Sequence, residues 1–594
     1  MADEPRVPPR ESSLRKASWG AAIAGALSVV LGLALVLSTS VEERLLSALP
    51  LISRDHPYVN DLSLLGYLVI LVGVLLLLFA RAAGHFQTGR NLINDDTMLA
   101  WVGGSLLVLA WGPIALIGHS GLVQGVRYWW LHDDAMISMR YGKNLADGLG
   151  FVWNPGEQVE GYTNFLWTLI MGVIHLFPVP DASSSAWVLA VSVALSIASI
   201  PILIRLVRLL GGGTFAVICS VLAFIFGEAV IAYGLQGFET PMVSFLFVLS
   251  TYLVLLDARD QAVRWRTYLA IATMILVRGD ALILSGVLYM IAIVLAPDRR
   301  RAIVCTLGSL ALPVAHEIFR ILYYGDPLPN TYYLKATNWS GKVSTGIGYV
   351  WDFMVRYALL VVAMVVLPLL ARSKELILLA GGILVWTAYV AYVGGDVFLY
   401  ARFFAPVLPV MCAIAFVGVA RVPRIKGLPR ALIGLLLLAN VWVQPLVYKD
   451  LLFPDLVDTG NIDLGLTLRE VTPEDAVVAD MWAGSVFYFS ERKGIDLLGK
   501  MDRHIARIDT VAGSNAPGHN KYDFSYSLGE LKPDFLDANF ILPVDESAMC
   551  RECEGHDALK GALYFHPLFQ EHCLPYPVEV STWRSVFACH WDST

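Results

Sequence analysis

Charged residues are scarce in this chain of 594 residues, and their scarcity excludes a soluble enzyme. Asp, Glu, Lys and Arg make up only 16% of the sequence, whereas 56% is hydrophobic and the mean hydropathy is +0.61. Many long apolar runs and 16 tryptophans instead indicate a polytopic membrane protein. A long basic arm is also lacking, so the composition does not point to nucleic acid.

The sequence also lacks the common signatures of energy-coupled and hydrolytic chemistry. It contains no P-loop, no dinucleotide-binding fingerprint, no HExxH zinc helix and no GxSxG elbow. An activated group must therefore arrive with the substrate. No internal repeat of 20–50 residues is visible. Inverted halves, which would be typical of a transporter, are not visible either.

Cysteine is limited to seven residues, which fall into two groups. Three lie inside apolar runs, where buried and inert thiols are expected: Cys219, Cys305 and Cys412. The others cluster near the C-terminus and predict two disulfides in an oxidising, extracytoplasmic compartment: Cys550, Cys553, Cys573 and Cys589. The alternative is a zinc site, because Cys550-x-x-Cys553 has ligand spacing and His556 and His572 lie near.

The apolar runs predict an α-helical protein with about thirteen transmembrane helices. Residues 1–18 are polar and are predicted to be a disordered cytoplasmic terminus. The predicted spans are 19–38, 62–80, 99–117, 186–204, 214–233, 241–256, 267–277, 281–296, 302–322, 353–371, 375–393, 402–420 and 430–448. The run 165–178 is shorter and ends at Pro178, so we interpret it as a re-entrant or interfacial helix.

Loop charge predicts the orientation in the membrane. With the N-terminus inside, every short inner loop is basic, as the positive-inside rule requires. The odd number of spans then places the C-terminus outside, in agreement with the clustered cysteines. Residues 449–594 have ordinary globular composition and predict an extracytoplasmic α/β domain, with strands at 477–480 and 495–498 and a helix at 483–490. This domain is expected either to grip a polymeric acceptor or to cap the mouth of the active site.

The longest polar interruption of the membrane part, residues 132–167, carries the sharpest chemical signal. It opens with Asp133 and Asp134, and two neighbouring carboxylates raise one another's pKa unless a cation intervenes. One carboxylate can accept a proton from a hydroxyl while the other orients substrate or helps to bind a divalent cation. The alternative is a solvated helix cap.

Further polar residues lie in the five predicted outer loops, which together would form a polar pocket at the membrane surface. Arg140 suggests a phosphate or headgroup contact, Lys335 and Arg402 suggest phosphate contacts, and Arg278 and Asp280 are alternatively a simple ion pair. The full set of candidate substrate-binding residues is Arg140, Asn154, Glu157, Glu160, Tyr162, Asn164, Glu239, Arg278, Asp280, Asp326, Asn330, Tyr333, Lys335, Asp396 and Arg402.

Three stretches carry a family resemblance: DDAMISMRYGKNLADGLGFVWNPGEQVEGYTNFLW, GDPLPNTYYLKA and the segment from Gly394 to Arg402. They resemble the AftB-type terminal arabinofuranosyltransferases of mycobacteria and their relatives, within the GT-C glycosyltransferase superfamily. The resemblance runs from about residue 99, so the first two helices would be an addition to an eleven-helix core whose outer catalytic loop is 119–164.

This resemblance implies transfer of D-arabinofuranose from decaprenylphosphoryl-arabinose to the non-reducing ends of arabinan in arabinogalactan and lipoarabinomannan, as terminal β(1→2) linkages. Asp133 and Asp134 match the acidic pair of the family, the segment from Glu160 to Asn164 would bind sugar, and Lys335 and Arg402 would face phosphate. The alternatives are a polyprenol-phosphate-mannose-dependent mannosyltransferase and a transporter of lipid-linked sugar. Ionisable residues gathered in the outer loops favour an enzyme over the transporter.

Overall fold

The computed structural model describes residues 95–335, 341–452, 457–511, 518–537, 556–578 and 585–591. The predicted N-terminal segment 1–18, the spans 19–38 and 62–80, and Cys550 and Cys553 lie outside these residues.

Apolar helices form most of the described chain up to residue 335. Their bounds are α1 (Asp96–Pro113), α2 (Asp133–Ala146), α3 (Phe165–His175), α4 (Asp181–Leu209), α5 (Thr214–Phe226), α6 (Glu228–Gly234), α7 (Thr240–Arg259), α8 (Trp265–Val277), α9 (Leu282–Leu295), α10 (Arg299–Ser309), α11 (Ala311–Tyr324) and α12 (Asn330–Lys335). A π-helical turn, Ile114–Gly118, extends α1, and the 3₁₀ turn Gly279–Ala281 precedes α9.

The second half of the membrane part continues in the same way. Its helices are α13 (Lys342–Arg356), α14 (Ala358–Ala371), α15 (Lys374–Val393), α16 (Leu408–Arg421), α17 (Gly427–Val441) and α18 (Pro445–Leu452). Within the described residues, five helical segments are long and apolar enough to cross a membrane, or six if the bent pair α13–α14 is one span. Each predicted span of this region coincides with helix, but several observed helices are shorter than the predicted spans, so the number thirteen stays a prediction.

Several predicted spans are interrupted; the span 430–448, for example, contains the gap between α17 and α18. The span 353–371 contains the junction of α13 and α14, where the chain bends by 84°. The span 214–233 breaks at Gly227, whose backbone pairs with Trp442, and the span 402–420 opens with the 3₁₀ turn Arg402–Phe404. Apolar composition alone does not reveal these breaks, because a broken helix and a straight helix bury the same residue types.

Helix α3 has 11 residues, as the short apolar run predicted. At a rise of about 1.5 Å per residue it is roughly 16 Å long, about half the hydrocarbon thickness of a bilayer. Before it, strands β1 (Ser120–Val123) and β2 (Val126–Trp129) form an antiparallel hairpin. Gln124 and Gly125 at its tip both have positive φ, which is the backbone that a type I′ turn requires.

A five-stranded mixed sheet organises the C-terminal part. Its strands are β3 (Val477–Asp480), β4 (Lys493–Asp496), β5 (Phe535–Asp537), β6 (Cys573–Pro575) and β7 (Val586–Cys589), in the order β4-β3-β5-β7-β6. The helices are α19 (Val457–Val471), α20 (Ser485–Ser490), α21 (Arg503–Arg507), α22 (Phe524–Gly529), α23 (His556–Tyr564) and α24 (Pro567–His572). We call the described residues from 477 to 591 the C-terminal α/β unit.

The two strands and the helix predicted for this unit are present, but the bounds of the helix and of the second strand differ from the prediction. The first strand lies where it was predicted and the helix begins two residues later, whereas the second strand begins at Lys493 and ends at Asp496. Cys573 and Cys589 form a disulfide between the neighbouring strands β6 and β7. Cys219, Cys305 and Cys412 are buried free thiols, as predicted.

Candidate active site

The acidic pair lies in the first turn of α2, and a histidine caps this helix. The Nδ1 atom of His132 accepts a hydrogen bond from the backbone N–H of Asp134 at 3.3 Å. Neither aspartate is therefore the cap of α2, which leaves both carboxylates available for other partners. Their position in the first turn is favourable for negative charge, because the helix dipole is positive there.

Asp133 points towards the C-terminal α/β unit and is only 4% exposed. Its Oδ1 accepts a hydrogen bond from the N–H of Ser485 at 2.8 Å, and its Oδ2 accepts one from Gly484 at 3.2 Å. Burial raises the pKa of Asp133, while these backbone donors and Lys500 act in the opposite direction. Asp133 thus caps α20 and joins two parts of the molecule.

Asp134 remains the carboxylate with an accessible edge. Its side chain is 22% exposed, and its Oδ1 accepts a hydrogen bond from the ammonium of Lys500 at 2.7 Å. Burial alone would raise the pKa of Asp134, but the charges of Lys500 and Lys335 hold it well below its ordinary value. Asp134 is therefore ionised at neutral pH and can accept a proton or act as a nucleophile.

Lys335 and Arg402 extend this charged cluster, and they come from separate stretches of the chain. Lys335, at the end of α12, is exposed and interacts electrostatically with Asp134, Arg402 and Asp396. The guanidinium of Arg402 is held by Asp396 at 2.6 Å and lies 4.1 Å from the centre of the Phe398 ring. The fold thus brings four of the predicted residues together with Lys500.

A second charged cluster adjoins Arg402. Arg278 donates to Asp280 at 2.7 Å and to Glu239 at 3.1 Å, so the simple ion pair is formed and extended. Glu239 in turn accepts a hydrogen bond from the amide of Asn164 at 3.1 Å. These buried contacts tie the predicted outer loops to one another.

Arg140 requires a correction, because it does not face a phosphate or a headgroup. It is 5% exposed and donates to the backbone carbonyls of Trp153, Phe487 and Arg492 and to the side chain of Asn154. Those donors bind protein oxygens, so Arg140 is a structural residue. The same holds for Asn154, which also bonds both the N–H and the carbonyl of Gly494.

Several other candidate residues also make their contacts with protein groups. Glu160 is buried against Arg320 at 2.6 Å, and the hydroxyls of Tyr162 and Tyr324 lie 3.2 Å apart. This burial does not fit the expected role of the segment from Glu160 to Asn164 in binding sugar. The remaining pairs in this group are Glu157 with Lys493, Tyr333 with Asp326, and Asp326 with Arg507.

Asn330 serves the site indirectly. Its Nδ2 donates to the carbonyls of Gly499 and Lys500 at 3.0 Å each and to that of Asp502 at 2.9 Å. The side chain therefore holds the turn that carries Lys500. Lys500 itself is a site residue that sequence reasoning missed; the available signal was its position just past the carboxyl end of β4, a parallel strand, where ligand sites collect.

The acidic pair does not fit a divalent cation held by both carboxylates. Asp133 is directed at two backbone N–H groups and Asp134 at an ammonium. Among the residues that the structure describes, no group of three His, Cys, Asp or Glu side chains is arranged to hold a metal.

The fold is similar to that of a solved protein structure. The crystal structure of ArnT from Cupriavidus metallidurans in the apo state superposes with a TM-score of 0.52, covering 83% of this chain and 98% of that chain at 12% identity. Together with the apolar helices, this likeness shows a polytopic, multi-pass α-helical membrane protein. The sequence matches no protein-family model.

Two curated relatives agree with the resemblance seen in the loop motifs. The terminal beta-(1->2)-arabinofuranosyltransferase of Mycobacterium tuberculosis is 30% identical over 253 residues, which cover 40% of each chain. The enzyme of the same name from Corynebacterium glutamicum is 26% identical over 408 residues, covering 61% of this chain and 56% of the relative. The chain thus matches about half the length of these relatives, or less.

Proposed function

We propose that this protein is a membrane arabinofuranosyltransferase. It would transfer D-arabinofuranose from decaprenylphosphoryl-arabinose to the non-reducing ends of cell-wall arabinan, in arabinogalactan and lipoarabinomannan, and form terminal β(1→2) linkages. The observation that carries the proposal is the ionised Asp134 among Lys335, Lys500 and Arg402, in a chain similar to two enzymes of that name.

The charges suit this chemistry. When the bond between the anomeric carbon and the phosphate oxygen breaks, its electron pair leaves with the phosphate, and nearby cations stabilise that anion. The attacking hydroxyl loses its proton to a base, for which Asp134 is the exposed carboxylate. A β donor that gives a β product requires net retention, so either a covalent intermediate or front-side attack is needed. Because Asp133 is bound to backbone N–H groups, Asp134 is also the residue for the covalent route.

The arrangement in the membrane is part of the proposal. Residues 1–18 would be cytoplasmic, residues 19–448 would form a plasma-membrane catalytic domain with about thirteen spans, and residues 449–594 would be extracytoplasmic. The disulfide between Cys573 and Cys589 supports an oxidising location for the last part. The lipid-linked donor and the arabinan acceptor would meet at the outer face.

The test is transfer of labelled arabinose from a synthetic prenylphosphoryl-arabinose to a short arabinan acceptor by the purified protein. We expect Asp134→Asn to lower the turnover number by about 10²–10⁴-fold, the usual contribution of a general base. Asp133→Asn should mainly lower thermal stability and leave part of the turnover. The matched control is Glu474→Gln, which neutralises an exposed acid of the C-terminal part.

Two results would contradict the proposal. A well-folded parent that uses a mannosyl donor and not the arabinosyl donor would establish the mannosyltransferase alternative. Full turnover in Asp134→Asn would remove the site assignment while leaving the transfer activity in place.

A further inference from the structure

We propose that Lys500 is a positioning residue of the active site, which makes the C-terminal α/β unit part of the catalytic apparatus. The proposal rests on the transferase function above for its kinetic test. Lys500 would hold the Asp134 carboxylate in place and in its ionised form.

The ammonium of Lys500 is directed at one carboxylate. The side chain is 5% exposed, and Asp134 is the hydrogen-bond acceptor that it reaches within the described part of the chain. The other acid of this turn, Asp496, is committed elsewhere, because its oxygens accept from the N–H groups of Leu498 and Met501. The hydrogen bonds of Asp496 therefore stabilise the turn, and the hydrogen bond of the Lys500 ammonium goes to Asp134.

The turn is clamped from the membrane part on two sides. Asn330 binds the carbonyls of Gly499, Lys500 and Asp502. Arg503 donates to the carbonyls of Gln158 at 2.7 Å and Tyr324 at 2.5 Å. A lysine side chain is otherwise mobile and strongly hydrated, and fixing it costs conformational entropy. Clamping the backbone around it reduces that cost and sets the position of its charge.

The consequence is electrostatic. Asp134 is largely surrounded by protein, and a carboxylate in such surroundings tends to take up a proton unless a cation is close. Lys500 supplies the nearest cation, whereas Lys335 is a more distant charge on an exposed side chain. His132 also acts on Asp134 when it is protonated, and the neighbouring carboxylate of Asp133 acts in the opposite direction. Without Lys500, Asp134 would become protonated at a higher pH, and the active fraction of the protein would fall on the acid side.

The kinetic test compares the parent with Lys500→Met and with Lys500→Arg. Methionine is unbranched, one heavy atom shorter than lysine, and uncharged. We expect the acid limb of the pH–rate profile to move upward by about one pH unit or more in Lys500→Met, the size of shift that one adjacent opposite charge produces. Lys500→Arg should restore most of the parent profile. The control is Lys493→Met. Lys493 lies on strand β4, and its side chain is 54% exposed and pairs with Glu157.

A second readout does not depend on transfer. Carbodiimide coupling of an amine modifies carboxyl groups through their protonated form, and mass spectrometry locates the modified residue. At the lowest pH at which all four proteins remain folded, we expect greater coupling at Asp134 in Lys500→Met than in the parent, Lys500→Arg and Lys493→Met. A parent that transfers no arabinose would contradict the proposed function alone, since this coupling still tests the pairing.

An acid limb and a coupling level at Asp134 that are unchanged in Lys500→Met would overturn the inference. A loss of activity in that variant would then be explained by a structural effect of the substitution.

Discussion

Asp133 and Asp134 are adjacent in sequence, yet their side chains perform different tasks because successive residues leave a helix about 100° apart. One carboxylate binds the N-terminus of α20, and the other accepts an ammonium while keeping an exposed edge. The repulsion expected from an acidic pair is therefore relieved by separate partners.

His132 provides a test of pH dependence at the scale of one residue. Burial lowers its pKa to about 4, so the folded protein holds a neutral imidazole where the unfolded chain, with a pKa of about 6.5, binds a proton. The associated stability is complete above pH 6.5 and is lost as the pH falls towards 4. We expect His132→Asn, which keeps a cap acceptor at the same position, to show a smaller decrease in melting temperature between pH 7 and 5.

That measurement uses thermal unfolding of parent and variant in the same detergent. An equal decrease in both proteins would show that His132 does not control this pH dependence. A large drop at pH 7 in the variant alone would instead show that asparagine does not replace the cap.

Helices α2 and α20 form one of the contacts that join the membrane part to the C-terminal α/β unit. The close approach occurs at Gly484, where an added Cβ would lie 1.9 Å from the backbone oxygen of Asp133. A methyl group cannot be accommodated there unless one of the backbones moves. The contact therefore requires glycine at position 484. The local sequence of residues 481–490 does not predict this requirement.

We expect Gly484→Ala to lower the melting temperature by several degrees, as a cost of about 1–3 kcal/mol from overpacking would predict. It should also reduce transfer activity, because the hydrogen bonds that hold Asp133 would lengthen. The matched control is Gly286→Ala in α9, where an added Cβ meets nothing within 4 Å. Equal stability of the two variants would contradict the assigned contact.

At the scale of the whole molecule, the orientation proposed from the basic loops and the disulfide can be tested. We expect a cysteine introduced at Lys493, which is 54% exposed, to react with a membrane-impermeant maleimide on intact cells. A cysteine introduced at Arg300, also exposed, should react only after the cells are opened. The reverse labelling pattern would contradict the proposed topology. The parent protein is the control for labelling of the native cysteines.

The two possible tasks of the C-terminal domain can also be weighed at this scale. Lys500 and the docking contacts of α20 favour a cap that completes the active-site mouth. On this basis, substitutions at Lys500 should impair transfer to a short acceptor and to a polymer alike.

Apolar length and loop charge are local properties, and for that reason the sequence alone was sufficient for the helical class, the short helix α3 and the first strand of the C-terminal unit. The polar stretches of three predicted outer loops likewise identified Asp134, Lys335, Asp396 and Arg402 as candidates. Burial and partnership are not local. The sequence predicted that Arg140 contacts a phosphate or a headgroup, whereas in the structure its guanidinium donates to backbone carbonyl oxygens. Lys500 meets Asp134 across 366 positions. Only the tertiary structure decides such pairings, because the free energy of a charge depends on what the folded chain places around it.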